Sequence, residues 1–433
     1  MMARNGLAGM DTVSENQNAQ ADALAQQGDD IPLKVKLKRA ERMKQFKAMA
    51  LIAPLFLFTL CVFAIPIGLM LWRSIDNPEV VDYMPDTAIE LEKWSGEGMP
   101  GATLTNVFAK DLAAVYEMKK VSSVGKRLNY DVSGMRSLIS KTARKFDRNL
   151  PQNATLDDFI KADSRWEDQR YWKALKRASG SLTPFYLLTA FDKQISDQDQ
   201  IVDVPENQAI YVNIFWRTMW IAGVVTLASV LIAFPIAYLL ANTSSKVSNL
   251  LMFCVLLPFW TSLLVRTSAW VVLLQKNGVI NSSLEALGLI NEPLTLLFAR
   301  PAVYIGFLHL LLPFVILPLF SVMKSISPAY MRAAVSLGAH PAVAFVRVYL
   351  PQTLPGIGAG GILAFILAIG YYITPALIGG PQDQMLSYFI AHHANSSLNW
   401  GLASALGLVL LAATMILFTI YNRLTGASGV KMG

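Results

Sequence analysis

Six separate apolar runs, each long enough to match the thickness of a bilayer, decide most of what this chain can fold into. They fall at residues 48–72, 214–241, 249–274, 300–323, 355–378 and 399–422. A helix needs about 20 apolar residues to cross the hydrocarbon layer. Inside that layer every backbone N–H and C=O must be satisfied within the chain, so only helices or closed barrels can span it. The runs are continuous rather than alternating, which predicts helices. Composition agrees: 15% of the residues are charged and 54% hydrophobic, against about 25% charged in soluble domains. The predicted fold class is an all-α membrane protein with six transmembrane helices and a helical extracytoplasmic insertion between the first and second.

Charge sets the expected orientation. Residues 1–30 are polar and unpatterned and read as a disordered tail; with the basic stretch that follows they form a cytoplasmic segment, 1–47. Lys34, Lys36, Lys38, Arg39, Arg42, Lys44 and Lys47 crowd the start of the first run, which places the N-terminus in the cytoplasm and favours anionic headgroups. That run, 48–72, starts too late and is too long for a cleaved signal, so it is read as a retained anchor. Lys246, then Lys324, Arg332 and Arg347, then Arg423 and Lys431 repeat the inside signal; Lys276 and Arg300 run against it. Residues 425–433 form a short cytoplasmic tail. The net charge of +7 comes largely from these flanks and does not imply a nucleic-acid partner. Trp216, Trp220, Trp270 and Trp400 fall where an outer interfacial belt would lie. Cys61 and Cys254 both lie within apolar runs, so no disulfide framework is expected.

Between the first two runs the character changes. Residues 73–213 carry nineteen basic and twenty-one acidic side chains, an ordinary balance for a folded soluble domain. Apolar positions recur at helical spacing over 104–121 and 133–146. Thr155-Leu156-Asp157-Asp158 forms a capping box opening a helix expected to reach about Ser179. No alternating strand pattern stands out.

A second punctuated stretch, 327–356, separates the fourth and fifth runs. Ser327 suits an N-cap and Pro328 the first helical position. Gly338 supplies a left-handed residue to end that helix; Pro341 starts a second, which Pro351 is expected to stop. Ala329, Ala333 and Leu337 share one face with Ala334 beside them, while Arg332 and Ser336 take another. Two short helices with small residues outward allow close approach by a partner.

Ala333-Ala334, Gly338, Leu350-Pro351 and Pro355-Gly356 resemble the EAA loop of ABC-importer permeases. In that family the loop docks into a cleft of the cytoplasmic ATPase. Here Arg332 stands where the family carries a leading Glu. Arg266-Thr267-Ser268-Ala269-Trp270, Asn277-Gly278-Val279-Ile280-Asn281 and Thr374-Pro375-Ala376-Leu377-Ile378-Gly379-Gly380 are similar to the spermidine/putrescine branch of type I permeases. Together the resemblance covers about half of the chain, the permease core being 214–424. It implies a bacterial inner-membrane subunit with both termini cytoplasmic, a second permease subunit, two ABC ATPase subunits that bind ATP and Mg, and an extracytoplasmic binding protein. Arg332 favours a heterodimer in which the partner permease keeps the acidic contact. The implied cargo is a polyamine or related organic cation; an amino-acid derivative or an anion is the alternative cargo. The large insertion departs from the branch's common pattern.

The chain carries no P-loop of its own: Gly125-Lys126-Arg127 lacks the hydroxyl that would hold magnesium. No cofactor is expected on this chain and no catalytic constellation is visible, so a transport subunit is favoured over an enzyme. Tyr371, Tyr372 and Thr374 in the fifth run are translocation-path candidates, aromatic faces being suited to cations; a tyrosine near a span end equally suits an interfacial anchor. His309 in the fourth run is another, since ionisable groups at membrane depth face an interior; a hydrogen bond between helices is its simpler role. Arg266 is expected to snorkel to the outer interface, and His392, His393 and Asp383 to be surface residues rather than a metal site. The rival class is a membrane-anchored sensor with 73–213 as ligand domain, against which five further spans argue.

Overall fold

The computed structural model describes residues 33–426 except 197 and 199. The expected tails, 1–32 and 427–433, lie outside the described residues. The chain divides after Leu69 into two units.

Among its described residues the first unit is helical throughout, and the helix runs on to Trp72. α1 (Leu33–Thr59) passes through a π-helical turn at Leu60–Ala64 into α2 (Ile65–Trp72). The helix thus begins well before the apolar run and carries the basic cluster on it. The π turn closes with the Ile65 N–H on the Leu60 carbonyl, directly before Pro66. A proline ring collides with the carbonyl four residues back. Widening the preceding turn moves that carbonyl aside.

In the second unit the insertion is mainly helical, as its composition predicts. Its helices are α3 (Pro78–Val81), α4 (Pro85–Lys93), α5 (Ala102–Glu117), α6 (Val121–Asp131), α7 (Met135–Arg148), α8 (Leu156–Ala162), α9 (Gln169–Arg177) and α10 (Phe185–Ala190). The capping box is present: both the Thr155 N–H and its Oγ1 donate to the Asp158 carboxylate at 3.0 Å. The helix it opens ends at Ala162, not near Ser179. Asp163 stops it by turning its own carboxylate onto the Arg165 N–H, and Asp168 does the same for Arg170 to start α9; such local bonds compete with a continuing helix. A two-stranded antiparallel hairpin, β1 (Lys193–Ile195) with β2 (Ile201–Asp203), is also present. At three residues a strand, it is too short to give an alternating signal.

The insertion has its own aromatic core. Phe108 stacks on Phe159 at 5.2 Å, and Trp166 lies 4.7 Å from Trp172. Both indole N–H groups are satisfied, one by Thr142 Oγ1 at 2.9 Å and one by the Trp166 carbonyl at 3.0 Å. Asp163 ion-pairs with Lys141 and Arg165 at 3.0 Å each, which holds its carboxyl far below the usual range.

The remaining helices form the membrane core. α11 (Tyr211–Asn242) is followed by α12 (Ser245–Leu256), α13 (Leu263–Leu274), α14 (Val279–Ala286) and α15 (Arg300–Ser325). Then come α16 (Pro328–Ser336), α17 (Pro341–Ala344), α18 (Leu350–Gly370), α19 (Ile373–Ile378), α20 (Leu386–Asn395) and α21 (Trp400–Gly426). Five helices among the described residues are long and apolar enough to cross a bilayer: Glu41–Trp72, Tyr211–Asn242, Arg300–Ser325, Pro341–Gly370 and Trp400–Arg423. A pair of helices, Ser245–Trp260 and Leu263–Ala286, is long and apolar enough when taken together, with a 96° bend between its halves. The straight helix expected over 249–274 is therefore interrupted, at a short 3₁₀ turn containing Pro258 and the following Thr261-Ser262.

The fifth span also differs from expectation. Pro351 does not stop the second helix of the hairpin; α17 runs through a π turn at Phe345–Tyr349 straight into α18. The same arrangement as before Pro66 operates, the Leu350 N–H reaching the Phe345 carbonyl one residue ahead of the proline. The helix then ends at Gly370 rather than 378, and α19 is a separate short helix.

α15 and α18 pack closely along a stripe of small residues. Gly356, Gly360, Ala364 and Ala368, four apart, are all buried on one stripe of α18. A Cβ on Gly360 would sit 3.0 Å from the Val315 carbonyl oxygen, and one on Gly356 only 3.2 Å from the Leu319 Cα. Small residues at that spacing let membrane helices approach backbone to backbone.

The insertion core predicts its own sensitivity. Phe159→Ala should cost about 3–5 kcal/mol locally and speed amide exchange in α5 and α9 by about a hundredfold or more. Hydrogen exchange on the full chain in detergent checks this; unchanged protection there would show that the aromatic cluster does not hold the insertion together.

Candidate functional site: the 327–356 hairpin and the span ends

The hairpin is built as its punctuation predicts up to Pro341. Ser327 Oγ accepts the Ala329 N–H at 3.3 Å, and Pro328 occupies the first turn of α16. Gly338 takes a φ of +91°. Around it the Gly338 N–H bonds the Val335 carbonyl at 2.9 Å and the Ala339 N–H bonds the Ala334 carbonyl at 3.1 Å, a complete Schellman closure. His340 then caps α17, its Nδ1 accepting the Ala342 N–H at 3.3 Å. That capping role was not foreseen, because His is not among the usual N-cap residues.

Ala329, Arg332, Ala333 and Leu337 are exposed and Ala334 is half-buried. Leu337 is 89% exposed, an uncovered apolar side chain at the hairpin tip. Arg332 has no ion pair among the described residues. Leu350 is half-buried and Pro351 exposed. Both arms continue into the core: α15 leads into α16, and α17 leads unbroken into α18.

The translocation-path candidates are partly brought together. Thr374 is buried against α15, its Cγ2 in the space where a Gly306 Cβ would stand. His309, one turn further along α15, accepts the Trp270 indole N–H on Nδ1 at 3.1 Å. The bond joins α13 to α15, so His309 has its inter-helix role and Trp270 is not free as a belt anchor. Tyr371 and Tyr372 sit at the break between α18 and α19; the Tyr371 carbonyl accepts Ser387 Oγ at 3.3 Å, and Tyr372 is exposed.

Arg266 is held by the bend of its own helix pair. It lies one turn after the 96° break, where its guanidinium donates to the freed carbonyls of Pro258 and, at 3.1 Å, Thr261. At the insertion end of the spans, Arg300 pairs with Asp383 at 2.8 Å and Arg217 donates to the Gln384 carbonyl at 2.6 Å. Asp383 is buried, not a surface residue. Partners 83 and 167 positions apart leave no local signal. His393 is likewise half-buried, hydrogen-bonding the Tyr211 hydroxyl through Nε2 at 2.9 Å and Ser397 Oγ through Nδ1 at 3.0 Å. No His/Cys/Asp/Glu group among the described residues is arranged to hold a metal.

The family description "Binding-protein-dependent transport system inner membrane component" matches residues 229–429. The spermidine/putrescine transport system permease protein PotB of Haemophilus influenzae is 35% identical over 214 residues, 49% of this chain and 75% of that protein. The chain belongs to this permease family. Its counterpart PotB of Escherichia coli is 31% identical over 214 residues, 49% of this chain and 78% of that protein. The inner membrane ABC transporter permease protein YdcU of Escherichia coli is 35% identical over 252 residues, 54% of this chain and 76% of that protein. The protein is thus a multi-pass permease subunit of an ABC importer in the bacterial inner membrane, a transport component and not an enzyme or an anchored sensor. The family match begins at residue 229, so the insertion lies outside it.

The Tyr211–His393 contact gives this permease a pH signature. Burial, and then the neighbouring His392, hold His393 down to about 4 from 6.5. The unfolded chain therefore binds a proton between those values that the folded chain does not, and stability falls as pH drops below 6.5 and levels off near 4. His393→Gln should flatten that part of the profile of melting temperature against pH. Superimposable profiles for the two proteins would contradict the buried neutral ring.

Proposed function

We propose that this permease forms half of the path for a polyamine or related small organic cation, and that the 327–356 hairpin transmits the motion of a cytoplasmic ATPase to it. One observation carries the coupling role: a Gly338-closed hairpin presents Ala329, Ala333 and Leu337 outward while both arms run directly into α15 and α18. Arg332, Ala334, Leu350 and Pro351 complete the docking element. ATP and Mg belong to two partner ATPase subunits, and an extracytoplasmic binding protein delivers the cargo. Basic residues before the first span and at Lys324, Arg332 and Arg347 put the N-terminus and the hairpin inside, and hence the C-terminus inside and the insertion outside.

The cation class is supported by the names of the relatives and by the aromatic pair Tyr371 and Tyr372 at the α18–α19 break. With Thr374 and His309 they line the proposed path. The acids after residue 213 are Glu285, Glu292 and Asp383, and Asp383 is taken by Arg300. The path must hold a cation by aromatic faces or by the second permease, so a heterodimer with unequal halves is the assembly that fits. Arg332, solvent-facing, leaves the acidic ATPase contact to that second subunit.

Gly338→Val forces a β-branched residue into a left-handed conformation that already costs about 1–2 kcal/mol for an ordinary residue. Nothing lies within 4 Å of the added Cβ, so the damage is confined to the backbone of the hairpin. Substrate-stimulated ATPase activity of the reconstituted complex should fall at least about tenfold, with membrane insertion retained. Arg332→Glu should leave activity near normal. Full stimulation in the valine variant would refute the coupling role. Uptake assays with labelled spermidine and putrescine test the cargo: stimulation by a different solute and not by these would overturn the cation class alone.

A further inference from the structure

A cavity of about 740 Å³ lies where α3 and α6 of the insertion meet the turn that opens α21. Its wall carries charges of both signs. Asp76, Glu79 and Asp82 come from one short stretch at the start of the insertion; Arg73, Lys126 and Arg136 supply the cations. Arg127, also in the wall, is already neutralised by Asp131 at 2.5 Å, both side chains buried.

The two sets do not cancel by contact. Among the described residues no ion pair joins any of the three carboxylates to any of the three cations. Glu79 Oε2 is enclosed and has no hydrogen-bond partner. An enclosed carboxylate oxygen without a donor is costly. Lys126 donates to the Leu398 carbonyl at 3.2 Å and to that of Ser397, which fixes its position but leaves its charge uncompensated. Burial, with Arg136 next, lowers its pKa, and Glu79 opposes this, so these three charges act on one another across the cavity.

The sum decides the class of occupant. Three negative and three positive groups leave the wall with no net charge, so a polycation attracted by one set is repelled by the other, and an anion fares no better. A molecule with one charge of each sign gains from both. We propose that this cavity binds a small zwitterion of the α-amino-acid class, its ammonium at Glu79 and its carboxylate at Lys126 and Arg136. The rings of Tyr130 and Tyr186, whose phenol groups burial keeps protonated, flank the space left for a side chain. Because Lys126 holds the turn before α21, an occupant would touch both the insertion and the last span. The site is independent of what the permease carries.

The test is calorimetric titration of the full chain in detergent with the twenty protein amino acids, singly, alongside putrescine and acetate. At least one amino acid should bind with a Kd below about 1 mM. Its N-acetyl and carboxamide derivatives, each lacking one charge, should bind at least about tenfold more weakly. Glu79→Gln should weaken it similarly, and Asp82→Asn serves if that variant does not fold. No binding by any amino acid at about 10 mM, equal binding of the N-acetyl derivative, or binding of putrescine alone would each overturn the proposal.

Discussion

In a bilayer each backbone N–H and C=O must find its partner inside the protein, and the departures from straight helix in this chain are places where that requirement is met locally. Of the prolines inside spans, Pro66 and Pro351 each follow a π turn, at Leu60–Ala64 and Phe345–Tyr349, and the helix continues through both. Where the chain does break, by 96° after Trp260, Arg266 reaches back to the exposed carbonyls of Pro258 and Thr261. At the break after Gly370 the Tyr371 carbonyl is met by Ser387. Each irregularity has a named donor.

The same constraint bears on the coupling role proposed for the hairpin. Its two arms end two helices that pack backbone to backbone, with Gly356 and Gly360 of α18 against α15 at Leu319 and Val315. A push on α16 or α17 therefore moves a fused pair rather than a loop. Pro351 would have uncoupled one arm had it ended a helix; the π turn keeps that arm continuous to Gly370. Of the two exposed faces of α16, the small-residue one allows close docking without Arg332.

What was legible in the sequence follows from range. Length and apolarity alone located four of the spans, and Ser327, Pro328 and Gly338 specified α16 because a cap, a fixed φ and a positive φ act within a few residues. The capping box at Thr155 was readable for the same reason, but not where its helix ends, since Asp163 has both a local and a tertiary partner. Pro351 was misread because a proline's effect depends on the width of the turn before it. Arg266, Arg300, Asp383 and His393 took their roles from partners distant in sequence or from a break that composition does not encode.

The proposed coupling makes the hairpin tip the ATPase contact. It is tested most directly by a single cysteine at the tip, Leu337→Cys, with Cys61 and Cys254 changed to serine. Treated with a bifunctional thiol-to-amine reagent in native membranes, this protein should form one adduct with its ATPase subunit, in a yield that changes when ATP is added. No adduct above that from Leu150→Cys, on the insertion, would contradict the account.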